Sequence, residues 1–147
     1  SGLFLIIMLS IILAVAVAYL FFQNNKDSSI VKEDMDDLAP TEIPKSELER
    51  MLEEAVAKKD FRKAIRIYFI FILKDLTQKE WIVWNKKKTN LLYMREMKGR
   101  PFYKKFRKAV SIYEVVWYGK RSVAANEYHE VEPFFKNMLE DLIAHNR

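Results

Sequence analysis

The chain of 147 residues contains no cysteine and only three glycines. Without cysteine it forms no disulfide, no thiolate metal site and no cysteine nucleophile. Gly2, Gly99 and Gly119 are too scattered to build a glycine-rich loop that cradles phosphates. So few glycines also disfavour an all-β fold with many tight turns. Because aromatic residues are frequent and β-branched alternation is rare, we predict an all-α protein.

Charge is missing from the first 22 residues, which include the apolar run from Leu3 to Phe22. A helix of that length covers roughly 30 Å, the thickness of the hydrocarbon core of a bilayer. Tyr19 and Phe21 lie near its end, where aromatic rings favour the headgroup boundary. We therefore predict a transmembrane helix over residues 1–22. A signal peptide is the alternative interpretation, although no basic segment precedes the run.

Acidic residues and two prolines mark the next segment, residues 23–44. Pro40 and Pro44 prevent one continuous helix from the membrane into the following domain. We predict an acidic flexible linker over this segment and a helical domain over residues 45–147. The domain is expected on the cytoplasmic side, although only two lysines near the span support that orientation.

Five helices are predicted in the domain from apolar residues that recur every three or four positions. Ser46 and Glu49 have the spacing of a capping box and start the first helix. Asp60 caps the second helix, residues 61–76, which is apolar on nearly every side and is therefore expected at the centre. The small residues, acidic turn and aromatics between Ala55 and Tyr68 indicate a tetratricopeptide-like hairpin. The predicted fold is a transmembrane helix plus a small five-helix bundle opened by this hairpin.

Threonine, proline and glycine set the expected ends of the later helices. Thr89 is predicted to cap a short third helix, and Pro101 to occupy the first turn of the fourth. Gly119 is expected to end that helix as a left-handed cap. The last helix is predicted to start at about Ala124, and Pro133 to kink or interrupt it.

Basic residues concentrate between Lys79 and Lys108, where eleven of them are opposed only by Glu80 and Glu96. Anionic lipid, an acidic partner protein and nucleic acid all suit such a block. Nucleic acid is the weakest of the three, and a solvated face without a specific role is the plain alternative. The candidate partner or lipid face consists of Trp81, Trp84, Lys86, Lys87, Lys88, Lys104, Lys105 and Lys108.

One carboxylate stands out, because Glu114 lies one position off the apolar stripe of the fourth helix. We expect it to form a structural ion pair with Arg66, or with Arg107, Lys108 or Arg121. A role in partner recognition is the alternative.

The two histidines, His129 and His145, are sixteen residues apart and have no carboxylate at ligand spacing. Neither a metal site nor a Ser-His-Asp arrangement follows from them. We therefore predict no catalytic residue, no metal and no cofactor.

Three stretches of the chain resemble one bacterial domain family. They are residues 64–76, then Trp84 with Lys88, Thr89, Asn90 and Tyr93, and finally Tyr113, Glu114, Trp117, Tyr118 and Gly119. The family is a domain of unknown function found at the C-terminus of membrane-bound transglutaminase-like proteins. It also occurs, in versions typical of Bacteroidetes, as stand-alone proteins with one span. The resemblance covers roughly residues 48–142, and Lys59 departs from it where a small residue is common.

This resemblance implies an accessory or scaffolding role beside MoxR-type AAA+ ATPases and von Willebrand factor A-like proteins of the bacterial inner membrane. It implies no catalytic residues in the domain itself. We expect a non-enzymatic, membrane-anchored interaction module that contacts membrane lipid and other membrane-protein subunits. The alternatives are a regulatory C-terminal domain of a larger, transglutaminase-like membrane enzyme and a membrane-tethered nucleic-acid binder.

Overall fold

The computed structural model describes the backbone of residues 2–34 and 38–145, and the side chains of residues 2–20 and 38–145. Within these ranges the chain is all-helical, which confirms the predicted fold class. The elements are α1 (Gly2–Asp34), a 3₁₀ helix (Pro40–Glu42), α2 (Lys45–Ala57), α3 (Phe61–Gln78), α4 (Asn90–Met97), α5 (Tyr103–Trp117) and α6 (Ala125–Ala144). They fall into two compact units, Ser1–Asp37 and Leu38–Arg147, the second of which we call the domain.

Helix α1 is long and apolar enough over Gly2–Leu20 to cross a membrane, and none of these residues is buried. The helix continues past the predicted end of the span at residue 22 and reaches Asp34. No proline or glycine lies in residues 23–34, so each further residue adds one more backbone hydrogen bond. Of the predicted linker, residues 35–37 and the side chains of residues 23–34 lie outside the described residues.

Residues 38–44 were predicted as part of the acidic linker, but they fall within the compact unit of the domain. Pro40 and Ile43 are buried in it. The Lys74 ammonium, itself buried in α3, lies 2.6 Å from the Ile43 carbonyl oxygen and 3.4 Å from that of Pro40. A buried charge requires such partners. Lys74 therefore holds the start of the domain against its central helix.

Helix α3 is the centre of the domain, as its apolar sequence predicts. It packs against α2, α5, α6 and the 3₁₀ helix. Its N-cap is Asp60, whose Oδ1 accepts a hydrogen bond from the Lys63 backbone N–H at 3.2 Å. Helices α2 and α3 form a hairpin, near whose turn Ala55 and Ala64 are both buried. The likeness of this hairpin to a tetratricopeptide unit stays a prediction.

Stacked aromatic rings join α3 to its two later partners. The Phe69 ring stacks on Tyr113 of α5 with centroids 4.2 Å apart. On α6, Tyr128 stacks on Phe61 at 4.6 Å, and a third pair joins Tyr68 to Phe135 at 5.5 Å. Such pairs add about 0.5–1.5 kcal/mol each to the burial of the rings.

Several helix ends differ from the sequence prediction. Helix α2 begins at Lys45, and no capping box forms at Ser46, because the Pro44 carbonyl already accepts the N–H groups of Glu47 and Leu48. Thr89 stands at the N-cap of α4, but its side chain makes no capping hydrogen bond.

Around α5 and α6 the prolines and Gly119 have other roles than predicted. Pro101 precedes α5, whose N-cap is Phe102 in a left-handed conformation (φ 69°). The left-handed residue after α5 is Lys120, whereas a Cβ at Gly119 would overlap the Val115 carbonyl oxygen. Helix α6 continues through Pro133 without interruption.

The turn of the α2–α3 hairpin requires a left-handed residue, and this residue is Lys59 (φ 56°). The Lys59 N–H donates to Val56 and the Asp60 N–H to Ala55, the pattern of a Schellman motif. Glycine adopts this conformation without steric cost, whereas lysine does not. The small residue expected here from the family resemblance thus has a steric reason.

Replacing Lys59 with glycine should therefore raise the free energy of unfolding by about 0.5–1 kcal/mol, because the left-handed strain is relieved. The neighbouring Lys58→Gly is the control, since Lys58 has an ordinary helical φ of −81°. It should lower the free energy of unfolding by a similar amount. Urea unfolding followed by tryptophan fluorescence measures both, because all three tryptophans lie in the domain. Destabilisation by Lys59→Gly would contradict the turn geometry.

Lys74→Met keeps the aliphatic stem but removes the donor to Ile43 and Pro40. A buried carbonyl without a donor costs about 1–3 kcal/mol, so the free energy of unfolding should fall by that amount. Amide hydrogen exchange over residues 38–44 should accelerate selectively. Lys45→Met, whose side chain is 64% exposed, is the control and should change stability by less than about 0.5 kcal/mol. Equal effects of the two substitutions would show that Lys74 does not hold this segment.

Candidate functional site

The predicted partner or lipid face is divided by the fold into a loop group and a helix group. The loop group follows α3 and contains the two tryptophans and the three consecutive lysines. The helix group lies in the first two turns of α5. Trp81 connects the loop group to the helix group: its ring lies 6.1 Å from that of Phe102, whose own ring is 5.4 Å from the Lys105 ammonium.

Within the loop group, Lys88 has a structural role. Its ammonium donates to the Val83 carbonyl at 2.6 Å and to the Glu96 carboxylate at 2.7 Å. It also lies 5.3 Å from the centroid of the Tyr93 ring. The lysine thus fastens the loop to α4. The neighbouring Lys86 and Lys87 are exposed.

The aromatic residues of this region are mostly engaged within the domain. Tyr93 is buried, and its hydroxyl donates to the Asn85 carbonyl and accepts the Asn85 N–H, each at 3.1 Å. Trp81 packs against Phe102 and, edge to face, against His145 at 5.4 Å, while Trp84 is half-buried. Stacking on nucleic-acid bases requires open ring faces. Tyr93 offers none, which weakens the nucleic-acid alternative.

The helix group is a set of exposed cations that we call the α5 basic face: Lys104, Lys105, Arg107 and Lys108. Lys105 forms an ion pair of 2.7 Å with Asp141 of α6. The Lys108 ammonium lies 4.6 Å from the centroid of Phe134, and the Arg107 guanidinium lies 5.8 Å from that of Tyr103. Each of these cations thus rests beside the domain surface and keeps its charge exposed.

Arg107 was missed as a site residue in the sequence, although it lies inside the basic block. The signal was available: positions 104, 107 and 108 are spaced by three and four residues and share one helix face. Beside this face, a shallow depression of about 530 Å³ is lined by Gly99, Arg100, Phe102, Tyr103, Lys104 and Lys105.

Arg66 and Glu114, predicted as an ion pair, contact different groups. Glu114 is exposed and its Oε1 accepts a hydrogen bond from Asn90 Nδ2 at 3.3 Å. The Arg66 guanidinium lies 4.1 Å from the centroid of Trp117. Because Tyr113 turns inward to stack on α3, the next residue in the helix is turned away from α3. The predicted pair is therefore replaced by two separate contacts.

A second arginine completes this cluster, which the sequence analysis did not find. The Arg62 guanidinium also lies 4.1 Å from the Trp117 centroid, and it donates to the carbonyls of Trp117 at 2.7 Å and Val116 at 3.3 Å. These carbonyls lie at the end of α5, where the helix itself supplies no donor; that of Trp117 also accepts the Lys120 backbone N–H at 3.3 Å. Burial lowers the pKa of Arg66 and raises that of the Tyr113 hydroxyl. The cluster thus joins the start of α3 to the end of α5.

The two histidines of the domain lie beside different sets of aromatic rings. His129 is exposed beside the rings of Phe61 and Tyr128, and His145 beside Trp81. Among the described residues no group of three or more His, Cys, Asp or Glu is placed to hold a metal ion.

No protein-family model, no curated protein and no solved structure matches this chain. The family resemblance thus rests on its motif residues and stays a prediction. The structure gives the most specific of them a packing role: Tyr113 stacks on Phe69, Trp117 lies against two arginines and Gly119 passes close to Val115.

Arg62→Met should lower the free energy of unfolding by about 1–3 kcal/mol, because two carbonyls at the end of α5 lose a charged donor. Arg100→Met, which removes an exposed arginine, is the control and should change stability by less than about 0.5 kcal/mol. Urea unfolding at one salt concentration measures both. If the two variants are equally stable, Arg62 does not cap α5.

Proposed function

We propose that this chain is a membrane-anchored, non-catalytic interaction module of a bacterial inner-membrane complex. The observation that carries the proposal is helix α1, whose residues 2–20 are uncharged and predominantly apolar and are not buried by any described part of the chain. A helical segment of nineteen such exposed residues is stable in lipid and not in water. The domain that follows is the part that meets partners.

The length of α1 favours an anchor over a signal peptide. The apolar core of a signal peptide has about 7–15 residues, whereas the apolar part of α1 has 19 and the helix extends to Asp34. A helix that continues beyond the hydrocarbon core suits a stalk that carries a domain.

The non-catalytic part of the proposal is supported by how the polar groups of the domain are used. The buried ammonium of Lys74 is bound to backbone carbonyls, and Arg62 caps a helix. Carboxylates such as Glu54 and Asp141 form ion pairs at the surface. These are roles in folding and not in chemistry on a substrate.

The partners and the orientation are proposed from the family resemblance. It suggests other membrane-protein subunits and an AAA+ ATPase of the MoxR type, with the domain on the cytoplasmic side. Among the described residues, the largest continuous set of exposed charges of one sign on a single helix is the α5 basic face.

The test is recovery of partners from native membranes. The full chain should resist extraction with alkaline carbonate and, after lysine crosslinking in mild detergent, should carry other membrane subunits in stoichiometric amounts. A variant with residues 3–20 replaced by leucines is the control, because it keeps the anchor and changes only the lipid-facing surface. Partners retained by that variant are bound through the domain.

Extraction of the chain by carbonate would overturn the anchor. Recovery of the chain alone, from membranes in which crosslinking of known complexes succeeds, would overturn the interaction module.

A further inference from the structure

We propose that the α5 basic face binds anionic lipid headgroups of the membrane in which α1 is anchored. This inference rests on the proposed function, because it assumes that α1 lies in a bilayer. It names the partner of one surface of the domain.

The first argument is charge. Four of the first six residues of α5 are basic, and the carboxylate that the helix contains, Glu114, lies at its other end. Lys104, Arg107 and Lys108 are exposed, and within the described chain the recorded ion pair of this face joins Lys105 to Asp141. Among the described residues, one of these four charges is thus ion-paired, and the face carries a net positive charge.

The second argument is that these cations do not stabilise the helix that carries them. The N-terminus of a helix is its positive end, and cations there are unfavourable. Helix α5 has no acidic residue in its first turn and no side-chain cap at Phe102. A face that opposes the stability of its own helix is better explained by an external partner.

The third argument is proximity. Leu20, at the end of the apolar part of α1, and Leu38, at the start of the domain, are separated by no more than about 60 Å of chain in any conformation. A covalent tether of that length keeps the lipid surface at a high effective concentration for every copy of the chain, whether or not a partner protein is present.

The fourth argument is the form of the surface. The aromatic rings next to the cations are covered by them: Lys105 lies over Phe102, Arg107 over Tyr103 and Lys108 over Phe134. Cations on an apolar base suit a boundary between water and lipid. Bases of a nucleic acid would find these ring faces occupied.

The chain has no cysteine, so one can be placed as a single probe. Ser111→Cys lies on the exposed side of α5, three residues after Lys108, and Glu53→Cys on the exposed side of α2 is the matched control. The full chain is reconstituted into vesicles of neutral phosphatidylcholine, with or without 30% phosphatidylglycerol (about one lipid in three). The rate of reaction with a membrane-impermeant maleimide is then measured.

We expect the cysteine at position 111 to react about five- to tenfold more slowly on anionic than on neutral vesicles, and this protection to vanish in high salt. The cysteine at position 53 should react equally on both. Each basic residue at an anionic surface changes the equilibrium constant for the lipid-bound state by roughly fivefold. Lys104→Gln with Arg107→Gln and Lys108→Gln should therefore abolish the protection.

Charge loss elsewhere is the second control: Lys45→Gln with Lys58→Gln and Lys120→Gln removes the same number of charges and should leave the protection intact. If the triple variant of α5 unfolds, Lys104→Gln alone replaces it. Loss of that single exposed charge should lower the equilibrium constant for the lipid-bound state about fivefold and reduce the protection to about two- to threefold.

If the cysteine at position 111 reacts at the same rate on neutral and anionic vesicles, the proposal is wrong. This holds whether both rates are fast or both are slow, because a contact that slows both equally would not depend on charge. Protection by added polyglutamate or oligonucleotide, without protection by anionic lipid, would overturn it in favour of a protein or nucleic-acid partner. Flotation of the chain with vesicles separates these outcomes from failure of the proposed function. If the chain floats with the vesicles but position 111 is not protected, the anchor is upheld and only the lipid contact is wrong.

Discussion

Helix α3 has to be covered on nearly every side, and the organisation of the domain follows from that requirement. Its aromatic and aliphatic side chains each gain about 1.5–3 kcal/mol when they leave water. Helix α2 covers one side of it through a short turn. The other sides need α5 and α6, which meet it through stacked rings. The 3₁₀ helix covers the remaining part, and the buried Lys74 ammonium donates to the Ile43 carbonyl next to it.

Helix periodicity predicted the bundle well, and it failed where one residue has an unusual backbone conformation. The apolar rhythm identifies α2, α3, α5 and α6 because each has one continuous buried face. The helix ends were placed from glycine and proline. Gly99 does adopt a left-handed conformation, but four other left-handed positions are held by Lys59, Glu80, Phe102 and Lys120. Nothing in the type of these residues indicates that conformation. Likewise, the sequence shows that Lys74 lies in an apolar helix, but it does not show that the Pro40 and Ile43 carbonyls lie next to the ammonium.

The candidate site illustrates a second limit of sequence reasoning. The basic block is continuous in the sequence, but the fold uses Lys88 to fasten a loop and leaves Lys104 exposed. Residues of one type thus have different roles because of neighbours that are distant in sequence. The arginines on Trp117 show the same limit, since Arg62 and Val116 meet only when α3 and α5 pack. Arg107, by contrast, could have been assigned to the basic face from its helical spacing to positions 104 and 108.

The order of the helices along the chain affects how the protein is made. Helix α3 emerges from the ribosome soon after the apolar helix α1, but α6 is the last of its covering helices. At roughly 5–20 residues per second, the chain from Lys79 to Ala144 takes about 3–13 s to synthesise. During that interval two sides of an aromatic helix are uncovered. Newly made chains on neighbouring ribosomes would meet through these same sides, so α3 is the segment most in need of a chaperone during biogenesis.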